Sequence, residues 1–210
     1  MISGDEIKFI HPFCMTVAGP TQSGKSHFIY NLLTYKNDLI QPRQEKNIYC
    51  YSVWQPLFSK MVVEIDGIQF QKGLNDIDKV SDALVILDDL MNECLENRNM
   101  LSLFTIGSHH KNISVIFLTQ NIFEKGKYAR SISLNSHYLI IFQNRRDKAQ
   151  IQYLGRQVYP KEGEFFMEVF TDAIFKKYGF LIIDLKSNIK DLRLRTIDFE
   201  KKTVLIYNKK

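Results

Sequence analysis

Five short stretches of the chain are almost wholly apolar: Phe13 to Ala18, Ala83 to Leu87, Ile113 to Leu118, Tyr138 to Phe142 and Phe180 to Ile183. A strand with one wet face alternates polar and apolar positions, whereas an unbroken run is how a strand reads when helices cover both faces of a parallel sheet. A sixth strand is predicted at Asn47 to Val53. Between the runs, apolar residues recur at helical spacing. After Lys25, Phe28, Leu32, Tyr35 and Leu39 fall on one face, flanked by Ile29, Leu33 and Ile40; further helices are predicted over Leu95 to Ile106, Lys148 to Val158 and Glu164 to Lys176. Strand and helix in alternation specify a three-layer α/β domain. The tail differs. Leu192 to Phe199 and Thr203 to Tyr207 alternate, as strands exposed on one face do, and are expected to form an antiparallel addition at the sheet edge.

Length and composition narrow the class without changing this picture. With 210 residues, 45% of them hydrophobic, the chain is expected to form a single domain, with a core at 1–160 and a C-terminal extension at 161–210. A charged fraction of 24%, with 15 Phe and 10 Tyr, is unlike the composition of a disordered chain. No apolar run approaches the ~20 residues that span a bilayer, and Asp5 and Glu6 stand where a secretory leader is basic and then apolar. No membrane role and an intracellular location are therefore expected. Cys14, Cys50 and Cys94 lie too far apart for a C-x-x-C pair and read as buried thiols. Charge is uneven: residues 1–105 carry −4 and residues 106–210 carry +9, making the net +5. A basic half suits a phosphate backbone, an anionic membrane, an acidic partner or simply a solvated surface, and charge alone does not choose among them.

The chemistry sits at the ends of the apolar runs. Gly19-Pro20-Thr21-Gln22-Ser23-Gly24-Lys25-Ser26 fits G-x-x-x-x-G-K-[ST] between a strand and an amphipathic helix, the context a phosphate-binding loop requires. Its glycines let backbone N–H groups turn inward around phosphates, and the helix beginning near Gly24 adds its positive end. Lys25 is expected to reach the β- and γ-phosphates of ATP and Ser26 to hold Mg²⁺; His27 follows as the last residue assigned to the nucleotide. The run 83–87 ends in Asp88 and Asp89. Asp88 is the second candidate magnesium ligand, through water, and Asp89 the candidate group that orients or deprotonates the attacking water. A third run ends at Thr119-Gln120-Asn121, where the neutral amide of Gln120 can donate to a γ-phosphate and accept from water.

This trio resembles the FtsK/HerA superfamily of ring-forming, DNA-translocating ATPases, and most of all the short genome-packaging ATPases of large DNA viruses and related virus-like elements. The likeness rests on residues 19–26, on Val-Ile-Leu-Asp-Asp-Leu-Met at 85–91, on His-His-Lys-Asn-Ile-Ser-Val-Ile-Phe-Leu-Thr-Gln-Asn at 109–121, and on Ser-Leu-Asn-Ser-His-Tyr at 133–138 with Asn-Arg-Arg-Asp-Lys at 144–148. It implies a P-loop NTPase of the additional-strand, RecA-like type. It further implies a homo-oligomeric ring that threads double-stranded DNA, a capsid or portal component as partner, and a place at viral assembly sites in host cytoplasm or nucleus, or on the virion. In such rings a neighbour completes each ATP site. The sequence departs twice from the family pattern: the second acid is Asp89 where Glu is frequent, and residues 107–111 offer no arginine before the sensor strand. Lys111 and Arg130 are therefore the first candidates for the cation acting on the neighbour's site, with the 145–146 pair behind them. Adjacent His109 and His110 lack the spacing of paired metal ligands. Lys125, Lys127, Arg130, Arg145, Arg146 and Lys148 are candidates for phosphate contact in the pore, and Asp147 for compensating the dipole of the helix that follows. Two other readings stay open at this point: a P-loop nucleoside or nucleotide kinase, and a nucleotide-gated scaffold without turnover.

Overall fold

The computed structural model describes residues 7–107, 110–146, 148–187 and 193–209. Among these, nine strands form one sheet in the order β11, β10, β9, β8, β2, β7, β6, β4, β5. They are β2 (Cys14–Ala18), β4 (Lys46–Tyr51), β5 (Ile68–Lys72), β6 (Ala83–Asp88), β7 (Ile113–Thr119), β8 (Tyr138–Phe142), β9 (Phe180–Asp184), β10 (Leu194–Asp198) and β11 (Thr203–Ile206). The strands from β8 to β5 run parallel, while β9, β10 and β11 continue the sheet antiparallel. A two-stranded parallel pair, β1 (Phe9–Ile10) with β3 (Ile40–Gln41), lies outside it. Each apolar run of the sequence is a strand with every residue buried: β2, β6, β7, β8 and β9.

Alternate residues of these strands serve opposite faces, as the pleat requires. Met15, Val17, Leu84, Ile86, Ile116 and Leu118 join one core with Phe28, Ile29 and Leu32 of α1 (Lys25–Thr34) and Phe58 and Met61 of α3 (Pro56–Glu64). Cys14, Val85, Leu87, Val115 and Phe117 form the opposite face, under α4 (Met91–Glu96), α5 (Arg98–Ser102) and α6 (Ala129–Leu134). Leu139, Ile141, Leu181 and Ile183 pack on α7 (Lys148–Val158) and α8 (Gly163–Ala173). The fold is thus a three-layer α/β domain, as the sequence predicts. Because β7 stands between β2 and β6, the phosphate-loop strand and the acidic strand are separated by one inserted strand, the arrangement of the additional-strand type.

Four expectations need correction. The unbroken run at Phe180 to Ile183, read with the others as a parallel strand, is β9, which pairs antiparallel with β8. The helix over Leu95 to Ile106 is instead α4, an extended Asn97, α5 and a π-turn at Leu103–Gly107. The first helix stops at Thr34, with Tyr35 as its cap and a short α2 (Lys36–Leu39) after it. The sixth strand ends at Tyr51, so Val53 lies beyond it. Strand β5 and helices α3 and α6 had no counterpart in the sequence reading. His109, Asp147 and Leu192 lie outside the described residues.

Within the antiparallel extension a buried ion pair joins β10 to β9. Arg195 is 1% exposed, and its Nη1 donates to Asp184 Oδ2 at 2.9 Å, while Oδ1 of Asp184 accepts from the backbone of Lys186 and Ser187. The guanidinium also lies 5.7 Å from the centroid of the Phe9 ring. Removing one partner of a buried pair leaves a desolvated charge, whereas removing both in favour of apolar residues can be nearly neutral. Asp184→Ala is expected to cost about 3–5 kcal/mol and to lower the thermal midpoint by roughly 10 °C. Asp184→Leu with Arg195→Met should lose much less. A single-variant loss under about 1 kcal/mol would mean that water screens the pair.

Candidate functional site

The parallel register decides which polar groups meet. Ala18 pairs with Thr119 and Ile141, Leu87 pairs with Phe117, and Tyr51 pairs with Asp88, so the C-terminal ends of five strands come level along one edge. The N–H of Gly19 donates to the carbonyl of Thr119 at 3.1 Å, which fastens the start of the phosphate loop to the strand that carries Gln120. In open α/β sheets ligands bind in the crevice beyond such strand ends. Here the crevice is a cleft of about 520 Å³ whose lining includes Thr21, Gln22, Gly24, Lys25, Ser26 and His27 of the loop, with Asp88, Asp89 and Gln120 from the neighbouring tips. The three separated motifs therefore converge.

Two glycines make the loop possible. A Cβ on Gly19 would come within 2.7 Å of both Phe142 Cβ and Ser23 Oγ, and Gly24 caps α1 at φ 110°, a conformation that side chains disfavour. Lys25 Nζ donates to the carbonyls of Gly19 at 2.5 Å and Pro20 at 3.0 Å, so its ammonium lies against the loop. Burial lowers the Lys25 pKa, against the pull of Asp88 and Asp89. The buried Ser23 hydroxyl has no hydrogen-bond partner among the described residues.

Asp88 ends its strand at 5% exposure. Its Oδ2 accepts from the Tyr49 hydroxyl at 2.6 Å and from the Ser26 hydroxyl at 3.4 Å. Burial raises the Asp88 pKa although Tyr49, Lys25 and Ser26 all favour the carboxylate. Burial, and next the charge of Asp88, push the Tyr49 phenol well above its ordinary value, so Tyr49 acts as a donor only. Asp89 is exposed and has φ 59°. A continuing strand would turn it away from Asp88; the left-handed residue bends the chain so that both carboxylates line the cleft. Ser52 Oγ lies 3.5 Å from Asp89 Oδ2. On the third tip, Glu124 accepts from Thr119 Oγ1 at 2.7 Å and from the N–H of Asn121 at 2.8 Å, bracketing the exposed Gln120.

These donors fit a magnesium triphosphate. A glycine loop, an ammonium and a free hydroxyl suit phosphate oxygens. The Ser26 and Asp88 oxygens, 3.4 Å apart, are close to the roughly 3 Å edge of an octahedron with Mg–O bonds of about 2.1 Å.

The two candidate trans cations lie elsewhere. Lys111 precedes the N-terminal end of β7, roughly 20 Å of strand from Gln120, and its ammonium donates to the Asp78 carbonyl. Arg130 is exposed on α6. Neither lines the cleft of its own chain, so either could act there only from another copy. Lys125, Lys127, Arg145, Arg146 and Lys148 are also exposed, in segments that leave β7 and β8 at the site's edge of the sheet. Sequence reasoning missed the Gln55–Leu57 wall and Tyr178 of the cleft, and Tyr49, Ser52 and Glu124, which hydrogen-bond to residues that line it. Only Glu124, an acid five residues after Thr119 in a polar loop, left a readable signal.

No family model matches the chain, and no curated protein matches it. Solved structures do. The genome packaging NTPase B204 from Sulfolobus turreted icosahedral virus 2, in complex with sulfate, aligns at TM-score 0.57 and 13% identity, over 93% of this chain and 96% of that one. The same protein in complex with AMPPCP aligns at TM-score 0.56 and 13% identity, over 93% and 97%. B204, the DNA-packaging ATPase from Sulfolobus turreted icosahedral virus, aligns at 0.52 and 16%, again over 93% and 97%. At these identities the likeness is one of fold.

The raised pKa of Asp88 makes the site a cost to the fold. An acid whose folded pKa is raised destabilises most fully above that pKa, and the penalty vanishes below the unfolded value of 3.8. Asp88→Asn keeps an acceptor for Tyr49 and removes the charge. It is expected to raise the thermal midpoint of the nucleotide-free protein at pH 7, with the gain fading as pH falls toward 3.8. A lower midpoint at pH 7 would mean that the carboxylate stabilises the fold.

Proposed function

We propose that the protein is a magnesium-dependent ATPase that moves double-stranded DNA, working as a homo-oligomeric ring to package a viral genome into a capsid. The observation that carries this reading is the convergence of Lys25, Ser26, Asp88, Asp89 and Gln120, from three strand tips, on one cleft. The loop and Lys25 bind the phosphates. Ser26, with Asp88 behind it, would hold Mg²⁺, which supplies positive charge to the β- and γ-phosphate oxygens. Asp89, more exposed than Asp88 and beside it, orients the attacking water and takes up its proton. Gln120 contacts the γ-phosphate and the water together, so its position depends on whether the third phosphate is present.

The tip that carries Gln120 supports a motor over a kinase. Glu124 fastens the same loop that leads into Lys125 and Lys127, so a change at the γ-phosphate has a short covalent route to basic residues that can grip DNA. A kinase has no use for such a link. Exposed basic residues along the site's edge suit contact with the phosphate backbone, with little sequence preference and strong salt dependence. A ring brings Lys111 or Arg130 of one copy to the cleft of the next, and a capsid or portal component completes the assembly at the site of viral assembly inside the host cell.

Turnover measured with and without long duplex DNA tests this reading. Lys25→Ala is expected to abolish ATP binding. Asp89→Asn should retain binding and lose about 10²–10⁴-fold in rate. Duplex DNA should stimulate the unaltered protein at low salt and lose that effect as salt rises. Phosphate transfer to nucleosides without a response to DNA would favour a kinase, and full turnover by Asp89→Asn would remove the assigned base.

A further inference from the structure

A second cavity, of about 420 Å³, opens on the other side of the phosphate loop, and its lining includes Gln22, Ser23, Gln143, Arg145, Phe175 and Tyr178. Gln22 and Tyr178 line both this cavity and the phosphate cleft, so the two are neighbours across the loop. Strand order decides which part of a nucleotide lies on which side. Asp88, Asp89 and Gln120 leave β6 and β7 on one side of β2, whereas Gln143 follows β8 and Tyr178 precedes β9 on the other. With the γ end held among the acids, the α-phosphate and its nucleoside extend toward β8 and β9.

The side chains waiting there suit a flat ring. Phe175 is 87% exposed and Tyr178 53% exposed, a large aromatic surface for the loop between α8 and β9 to leave in water. Tyr178 is held against the phosphate loop: a Cβ on Gly24 would lie 3.0 Å from Tyr178 Cβ, and the His27 ring is parallel to the phenol within 4°, with centroids 6.2 Å apart. Its backbone has φ 62°, which is costly for an aromatic residue. We infer that this cavity is the nucleoside site of the same hydrolase, in which a purine ring stacks on Tyr178 and Phe175 with little discrimination between adenine and guanine. The inference rests on the reading of the phosphate cleft given above.

Weak discrimination follows from where the polar groups lie. Strong selection between bases needs buried donors or acceptors that the wrong base leaves unpaired. Gln143 and Arg145 are exposed, so water can replace any bond that a base fails to make. Stacking is tolerant of base identity and grows with ring size, which favours purines over pyrimidines.

Calorimetric titration with ATP, GTP, CTP and inorganic tripolyphosphate, each with Mg²⁺, tests the site. ATP and GTP are expected to bind within tenfold of each other and CTP more weakly. Phe175→Ala and Tyr178→Ala should each weaken ATP by about tenfold and leave tripolyphosphate within twofold, whereas Lys25→Ala should lose both. Equal losses of ATP and tripolyphosphate in the ring variants, or no loss of ATP in either, would overturn the nucleoside site while Lys25→Ala still upholds the phosphate cleft. Failure of the unaltered protein to bind any of the four would overturn both.

Discussion

Ala18 stands level with Thr119 on one side and Ile141 on the other, and that parallel register fixes where every polar tip falls. Slipping β7 by one residue would carry Gln120 off the cleft and turn its buried side chains to the wrong face. The register is held by burial on both faces: no residue of β2, β6 or β7 is exposed, so any slip would trade apolar contacts in two cores at once. Gly19, bonded to Thr119 across this register, begins the loop in the one place where Lys25 and Ser26 face Asp88. Site geometry is a consequence of core packing here, and the antiparallel tail fixed by Asp184 and Arg195 adds the far wall, where Tyr178 leads into β9.

The same burial sets the electrostatic character of the cleft. Desolvation raises Asp88 and lowers Lys25, so each charge is held against the preference of its surroundings. A divalent cation and a polyanionic phosphate chain bring charges of the complementary sign into that low-dielectric space. Groups kept this way need little rearrangement when the ligand arrives, which is the sense in which the fold is prepared for charge it does not itself contain. Tyr49 contributes a fixed donor to Asp88 from the adjacent strand, on the same oxygen, Oδ2, that the Ser26 hydroxyl faces.

Most of the architecture was legible because it follows from local pattern. Unbroken apolar runs identified five strands, and the alternating tail identified the antiparallel pair. Apart from helix α3, what escaped had weaker or non-local causes. Strand β5 reads Ile-Gln-Phe-Gln-Lys at the sheet edge, too polar and short to stand out. Helix α3 opens with Pro56 at a first-turn position and repeats Phe58, Met61 and Ile65, so its signal was present. The helix foreseen over 95–106 has the right periodicity, yet Asn97 adopts an extended conformation that no spacing argument reveals. For the site, motif residues could be placed because each ends an apolar run. Tyr49 and Tyr178 could not, since Tyr49 meets Asp88, and Tyr178 the cleft, only through strand order and loop path. Arg195 reads as a wet position of an alternating strand and is buried because β9 supplies its carboxylate.

A crystal structure with Mg²⁺ and a non-hydrolysable triphosphate examines the central claim most directly. The expected result is a metal bonded to Ser26 Oγ at about 2.1 Å, Asp88 reaching it directly or through one water, and Gln120 within hydrogen-bond distance of the γ-phosphate. A triphosphate seated away from residues 19–26, or a metal held without Ser26 and Asp88, would contradict it.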